Sequence, residues 1–530
     1  MLTNQNPVLR GFHPDPSILR VGDDYYLAVS TFQWFPGVNL YHSRDLVNWE
    51  QLPSPLRRVS QLDMRGNPNS GGVWAPCLSY DKGTFYLIYT NVKNFHGIFK
   101  DTHNYLVTTT DLYGEWSDPI YLNSSGFDPS LFHDEDGRKY LLNMRWDHRM
   151  EKHDFAGILM QEYSVTEKKL IGEIKTIYKG TEIGATEAPH MYKKDGYYYL
   201  MVAEGGTMYN HGVRLARSRE LWGEYESDPT PVLTTRNNPE MKLQRTGHGS
   251  IIDTPSGKWY IAYLCARPLE GKYSILGRET CIAEACWVDG WLRLKNGGVV
   301  PPESYTVDLE ECKVKSLPKT DYFDGRLPLH YNTLRLPLDE IGSLTDRKGY
   351  LRLYGNEAIT SWNNQSMVAR RLDCHVAEAT AVLEFEPKTL QQMAGLSLFY
   401  DTYNFFYAYV SYDEESGQNC IRIIVRDRLK FYNPVGNYRV LIGNNKRVHL
   451  RVNVSNLRAD FSYSLDGEKY ENLATGLDIS CLSDEAYCDI GHEGHTGTFI
   501  ALCCQDLTGN KNYADFESLT YKRTIQGDTK

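Results

Sequence analysis

The chain has 530 residues, more than one hydrophobic core ordinarily supports, so two compact units are the starting expectation. Its 57 basic residues stand against 67 acidic ones, a net charge of -10 without long single-sign runs. That leaves no basic stripe for a polyanion and argues against nucleic acid as a partner.

In chain order, the opening MLTNQNPVLRGFHPDPS lacks the charged-then-apolar pattern of a secretory leader, and no apolar run spans a bilayer. A soluble, cytoplasmic protein with no membrane partner is expected. The 11 Cys form no CxxC or Cys/His zinc spacing, as expected of reduced thiols without disulfides or structural zinc.

Five segments then repeat one pattern: HPDPSILRVGDDYYLAV, VWAPCLSYDKGTFYLIY, FDPSLFHDEDGRKYLLN, TEAPHMYKKDGYYYLMV and GHGSIIDTPSGKWYIAY. Their anchors Asp15, Trp74, Asp128, Glu187 and His248 are spaced by 59, 54, 59 and 61 residues, room for a four-stranded blade plus loops. A tyrosine follows the anchor by 12 residues in four repeats (Tyr86, Tyr140, Tyr199, Tyr260) and by 11 in the first (Tyr26). Gly83, Gly137, Gly196 and Gly257 all stand nine residues after their anchors, predicting hairpin turns that need positive φ.

The repeat ends near Val300-Pro301-Pro302. Beyond it ATAVLEFEP, FFYAYVSYD, CIRIIVRD and VHLRVNV alternate at period two with no comparable repeat. The predicted fold is all-β: a five-bladed β-propeller over residues 1–305, a connection over 306–319, an antiparallel β-sandwich over 320–522, and a loose tail over 523–530.

First strands of propeller blades line the central channel, so the anchors converge although far apart in sequence. Singly, an Asp before Pro is more often a turn residue, a histidine more often a satisfied channel residue, and Trp74 as readily blade packing as a sugar wall. Together, Asp15, Asp128 and Glu187 concentrate like charge in one funnel, which pushes at least one carboxyl pKa upward. Two opposed carboxyl groups are the minimum machinery of glycoside hydrolysis. No GxSxG elbow, Walker loop, HExxH or Rossmann fingerprint supports another chemistry.

GFHPDPSILRVGDDYYLAVSTFQWFPGVNLYHSRDLVNW, NPNSGGVWAPCLSY, SGFDPSLFHDEDGRKYL, TEAPH, AEGGTMYNHG, GHGSI and LGRET resemble glycoside hydrolase family 43, in its β-xylosidase branch with a C-terminal sandwich. The resemblance implies Asp15 as general base, Glu187 as general acid, and Asp128 as the residue that raises and orients the acid. It places Arg278 on glycone hydroxyls, with Phe32, Trp74, Ala75 and Phe127 shaping the glycone pocket. His248 is an orienting residue, and Phe499 would reach from the sandwich to wall the aglycone side.

The activity so implied is exo-acting, inverting release of D-xylose from the non-reducing ends of β-1,4-xylooligosaccharides. Inversion needs room for a water, hence carboxyl groups about 6.5–9.5 Å apart. No cofactor is required; some members hold Ca2+ near the histidine matched by His248. A homo-oligomer, tetramer or dimer, is the implied assembly. TEAPH stands where the branch usually has TEGPH, and RPLEGKYSILGRET is shorter than the matching loop, which bears on the aglycone subsite. Two alternatives stay open: an enzyme mainly of α-L-arabinofuranosidase type, with dual activity between the two, and a non-catalytic glycan-binding propeller. The acid triad disfavours the second.

Overall fold

The computed structural model describes residues 1–524; the expected loose tail lies outside the described residues from 525 onward. Five four-stranded antiparallel sheets follow one another in chain order, their inner strands Ser17–Val21, Gly72–Asp81, Ser130–His133, Glu187–Lys194 and Gln244–Asp253. This is the five-bladed propeller that the repeat predicts. The fourth blade carries an extra short strand, Leu233–Thr234, paired with Gly212–Ser218.

The conserved spacing of the repeats has a packing cause. Gly83, Gly137, Gly196 and Gly257 turn the first hairpins at φ of 85°, 89°, 76° and 79°, a conformation that favours glycine. The second-strand tyrosines reach the following blade: Tyr26 meets Phe85, Tyr140 meets Trp222, and Tyr199 meets Trp287 with ring centroids 4.7 Å apart. Inner strands are stitched by serines. Ser17 Oγ accepts from the Leu78 amide at 3.2 Å, and Ser250 Oγ accepts from the Ile18 amide at 2.9 Å while donating to the Pro16 carbonyl.

The Ser250 contact closes the ring between the last and first blades. The N-terminal strand Leu2–Gln5 adds to closure by pairing with Ser304–Val307. That strand runs two residues into the stretch read as a connection, and Cys312 further along it donates its amide to Asp45 at 2.8 Å. The connection is therefore laid against the first blade.

The C-terminal unit is a β-sandwich of an eight-stranded and a nine-stranded sheet. Its alternating sequences now have an explanation: in Arg447–Ser455 every second residue is buried against the facing sheet. The nine-stranded sheet is completed by a strand of the propeller, Trp34–Phe35, paired with Tyr331–Leu334. Buried charges fasten the same seam. Arg245 of the fifth blade donates to Asp484 at 2.7 Å and to Glu485 at 3.2 Å with all three side chains almost wholly buried. Such a union makes the sandwich a wall of the propeller rather than a tethered module. Among the described residues no helix is long and apolar enough to cross a membrane.

Candidate active site

Each inner strand enters the channel through a kink. Asp15, Ala75, Asp128, Ala188 and His248 hold φ of 57°, 37°, 55°, 51° and 48°, in the left-handed region. Four of the five precede proline, which lacks a ladder N–H, and the strands bulge there, between Trp74 and Cys77, Glu187 and His190, and Gly247 and Ser250. This kink is the structural register of the repeat, and it amends the sequence alignment. Asp15, Asp128 and His248 stand on it; Trp74 and Glu187 stand one residue before it. A non-glycine residue held at positive φ costs about 1–3 kcal/mol, a strain that clusters where side chains must be aimed.

The three acids are brought together, each buried. Arg278 Nη1 donates to Asp15 Oδ1 at 2.8 Å, Ser30 Oγ donates to Asp15 Oδ2 at 2.6 Å, and His248 Nδ1 lies 3.6 Å from Oδ1. Burial alone would raise the Asp15 carboxyl, but Arg278, then His248 and Ser30, outweigh it and hold it below its ordinary value. Near neutral pH Asp15 is a carboxylate.

Glu187 has the opposite fate. Burial first, and then the negative charge of Asp15, push it up to about 8 against the pull of Arg278 and Lys100. Asp128 is likewise raised well above its ordinary value, by burial and then by Glu187 and Asp15, although the Ala188 amide donates to it. A carboxylate and a carboxylic acid thus face one channel at the same pH, the arrangement that separates a base from an acid. Burial, reinforced by Arg278 and opposed by Asp15, keeps His248 below the usual histidine value. It is a neutral neighbour of the carboxylate.

Aromatic side chains wall the cleft. The Trp74 ring meets Phe32 at 5.7 Å, Phe127 at 5.4 Å and Phe95 at 5.2 Å, and its indole donates to the Ser70 carbonyl at 2.8 Å. The Arg278 guanidinium lies 5.3 Å from the Phe32 ring centre. Ala75 is buried, its amide donating to Ser30 Oγ at 2.7 Å, so Ser30 ties Asp15 to the second blade.

Phe499 does not do what the resemblance suggested. It is fully buried, stacked on Trp34 at 3.9 Å and edge-on to Phe12 at 6.2 Å, so it backs the pocket wall from behind. The sandwich residue that reaches the site is His495, four positions earlier. Its ring lies 5.9 Å from Trp74, 6.3 Å from Phe32 and 5.8 Å from Phe95. Its carbonyl accepts from Arg278 Nη2 at 3.2 Å and its amide donates to Ser70 Oγ at 3.0 Å. Sequence reasoning also missed Ser30, which lies within the first quoted stretch but was given no role, Phe95, and Lys100, whose ammonium lies 4.3 Å from the Trp146 ring centre. The sole available signal for His495 was the HEGHTG run just before Phe499.

Calcium favours six to eight oxygen ligands. Among the described residues no group of three or more His, Cys, Asp or Glu side chains is placed to hold a metal. The electrostatic neighbours of His248 are the neutral rings of His190 and His211 and an Asp15 already engaged by Arg278. These residues do not make an oxygen cage, and no step below depends on a metal.

Residues 4–292 match the family described as Glycosyl hydrolases family 43, and residues 319–522 match the Beta xylosidase C-terminal Concanavalin A-like domain. The chain is 47% identical to a Beta-xylosidase of Bacillus subtilis (strain 168), over 98% of this chain and 99% of that one. It is 46% identical to Xylosidase/arabinosidase 43B of Humicola insolens, over 98% and 97% of the two chains. The crystal structure of a xylan beta-1,4-xylosidase from Bacillus Halodurans C-125 superposes with a TM-score of 0.96 at 51% identity, covering 98% of this chain and 100% of that one. With a propeller whose blades deliver a buried carboxylate and a buried carboxylic acid to one channel, and with relatives matched end to end, this chain belongs to glycoside hydrolase family 43.

Proposed function

We propose that the protein is an exo-acting, inverting β-xylosidase that removes D-xylose from the non-reducing ends of β-1,4-xylooligosaccharides. The observation that carries this reading is the split between Asp15, held ionised by Arg278, and Glu187, pushed up to about 8. Asp15 takes a proton from water as that water attacks the anomeric carbon, and Glu187 gives its proton to the departing glycosidic oxygen. Asp128, its carboxyl raised well above the ordinary value by burial and by Glu187 and Asp15, acts through Glu187 by orienting it. Arg278 orients Asp15 and offers donors to glycone hydroxyls; its Nε has no partner among the described residues. A water between base and sugar fits carboxyl groups about 6.5–9.5 Å apart.

His495 stands across one side of the channel against Trp74 and Phe32, which suits a pocket that accepts a chain end. The names of the relatives compared support xylose as the glycone, with no metal or organic cofactor invoked. The eleven free thiols, eight of them buried, suit a reducing, cytoplasmic setting. A homo-oligomer is supported by the half-exposed Phe431 and Tyr432 on the sandwich edge strand Lys430–Tyr432, with Tyr438 beside them in sequence. Xylotetraose digestion tests the exo reading: xylose and xylotriose must appear first, whereas early xylobiose in equal yield would refute it.

A further inference from the structure

A large cavity lies away from the acids. A cavity of about 980 Å³ opens where the first blade, the 306–319 connection and the sandwich meet, and none of the three acids lines it. Its lining carries six Arg or Lys side chains against three acidic ones, in a chain of net charge -10. Local charge therefore runs opposite to the whole.

Two of those acids are already engaged. Asp373 accepts from Arg523 at 3.0 Å and from the Tyr521 hydroxyl at 2.7 Å, and Asp321 accepts from His330 at 3.0 Å and Tyr331 at 2.9 Å. Arg371 is also spent, on the Phe12 carbonyl at 2.6 Å and Asn332 at 2.8 Å. Arg10, Lys315 and Arg326 line the cavity with no side-chain ion pair or hydrogen bond among the described residues. Arg370 also lines the cavity; it is 5% exposed, stacks over the Tyr521 ring at 4.2 Å, and its Nη1 reaches Asp321 only at 3.4 Å.

The space exceeds what a bare oxyanion fills and lies within the range of small-molecule sites, roughly 300–1,000 Å³. Trp49, Tyr41, Leu327 and Pro318 line it and give it apolar surface of the kind that packs against sugar rings. We propose that this cavity is a second ligand site, for a short saccharide bearing a carboxylate or a phosphate. The anionic group lies against the Arg370 and Arg326 guanidinium groups and the ring against Trp49. Since Trp49 belongs to the propeller and Arg326 and Arg370 to the sandwich, the ligand clamps the two units together.

Calorimetric titration and thermal melts of the full chain test this with glucuronate, glucose 6-phosphate, neutral glucose and inorganic phosphate. Either charged sugar should bind saturably and raise the melting temperature, at least tenfold more tightly than glucose or phosphate, and the two arms tell carboxylate from phosphate. Arg326→Glu, an exposed position, and Arg10→Ala should each weaken that binding at least tenfold and leave xylobiose hydrolysis unchanged. Absence of binding by both charged sugars at millimolar concentration would overturn the proposal. So would glucose binding equally well, or affinity indifferent to both substitutions.

Discussion

Replacing Glu187 by Gln should make the protein more stable while disabling it. The Glu187 carboxyl ordinarily titrates at 4.5 and in the fold at about 8. Each pH unit between those values is worth about 1.4 kcal/mol, so the ionised side chain costs the folded state on the order of 5 kcal/mol. Because the folded value lies above the unfolded one, stability is fully present below pH 4.5 and is lost as pH rises through about 8. At pH 7 the folded chain still keeps a proton that the unfolded chain has released, and roughly 3 kcal/mol of the loss is already felt.

Glutamine fills the same volume without a charge to bury. Glu187→Gln should therefore match the parent near pH 4.5 and exceed it progressively toward pH 8.5, while xylobiose hydrolysis falls about 10²–10⁴-fold. Paired thermal melts across that range are the assay. A stability difference that stays constant with pH, or a parent that gains on the variant as pH rises, would refute the reasoning.

Other expectations follow from the same contacts. In Asp128→Asn, burial and Asp15, which raise Glu187, are untouched, so kcat should fall while the alkaline limb of kcat/KM stays near about 8; a pH–rate profile checks this. Arg278→Ala removes the counter-ion that holds Asp15 down, so the acid limb should move up in pH and kcat/KM should drop by about 100-fold, or ~2.7 kcal/mol. Phe499→Ala leaves a void behind Phe12 and should cost about 3–5 kcal/mol with little change in KM. His495→Ala should do the reverse, raising KM with little loss of stability.

The propeller was legible because its repeats share turn glycines and second-strand tyrosines, whose spacing is imposed by hairpin geometry and by contact with the next blade. The acids were legible as a group for the same reason. Their alignment was off by one at Glu187 and Trp74, because a bulge before proline leaves no mark in residue spacing beyond the proline itself. The sandwich was readable from alternation, but not its annexation of Trp34–Phe35, since two residues of one domain pairing with another give no periodic signal. Phe499 was placed at the aglycone side by family resemblance alone, which carries no information on burial. Burial assigns it instead to packing, and the neighbouring glycine-rich turn carries the histidine into the cleft.

The sharpest test of the central claim is the anomeric form of the first sugar released from xylobiose, read by proton NMR before mutarotation. A base that activates water on the face opposite the departing oxygen predicts α-xylose as the initial product. Initial β-xylose would mean that a carboxylate attacks the sugar directly, and would contradict the roles given to Asp15 and Glu187.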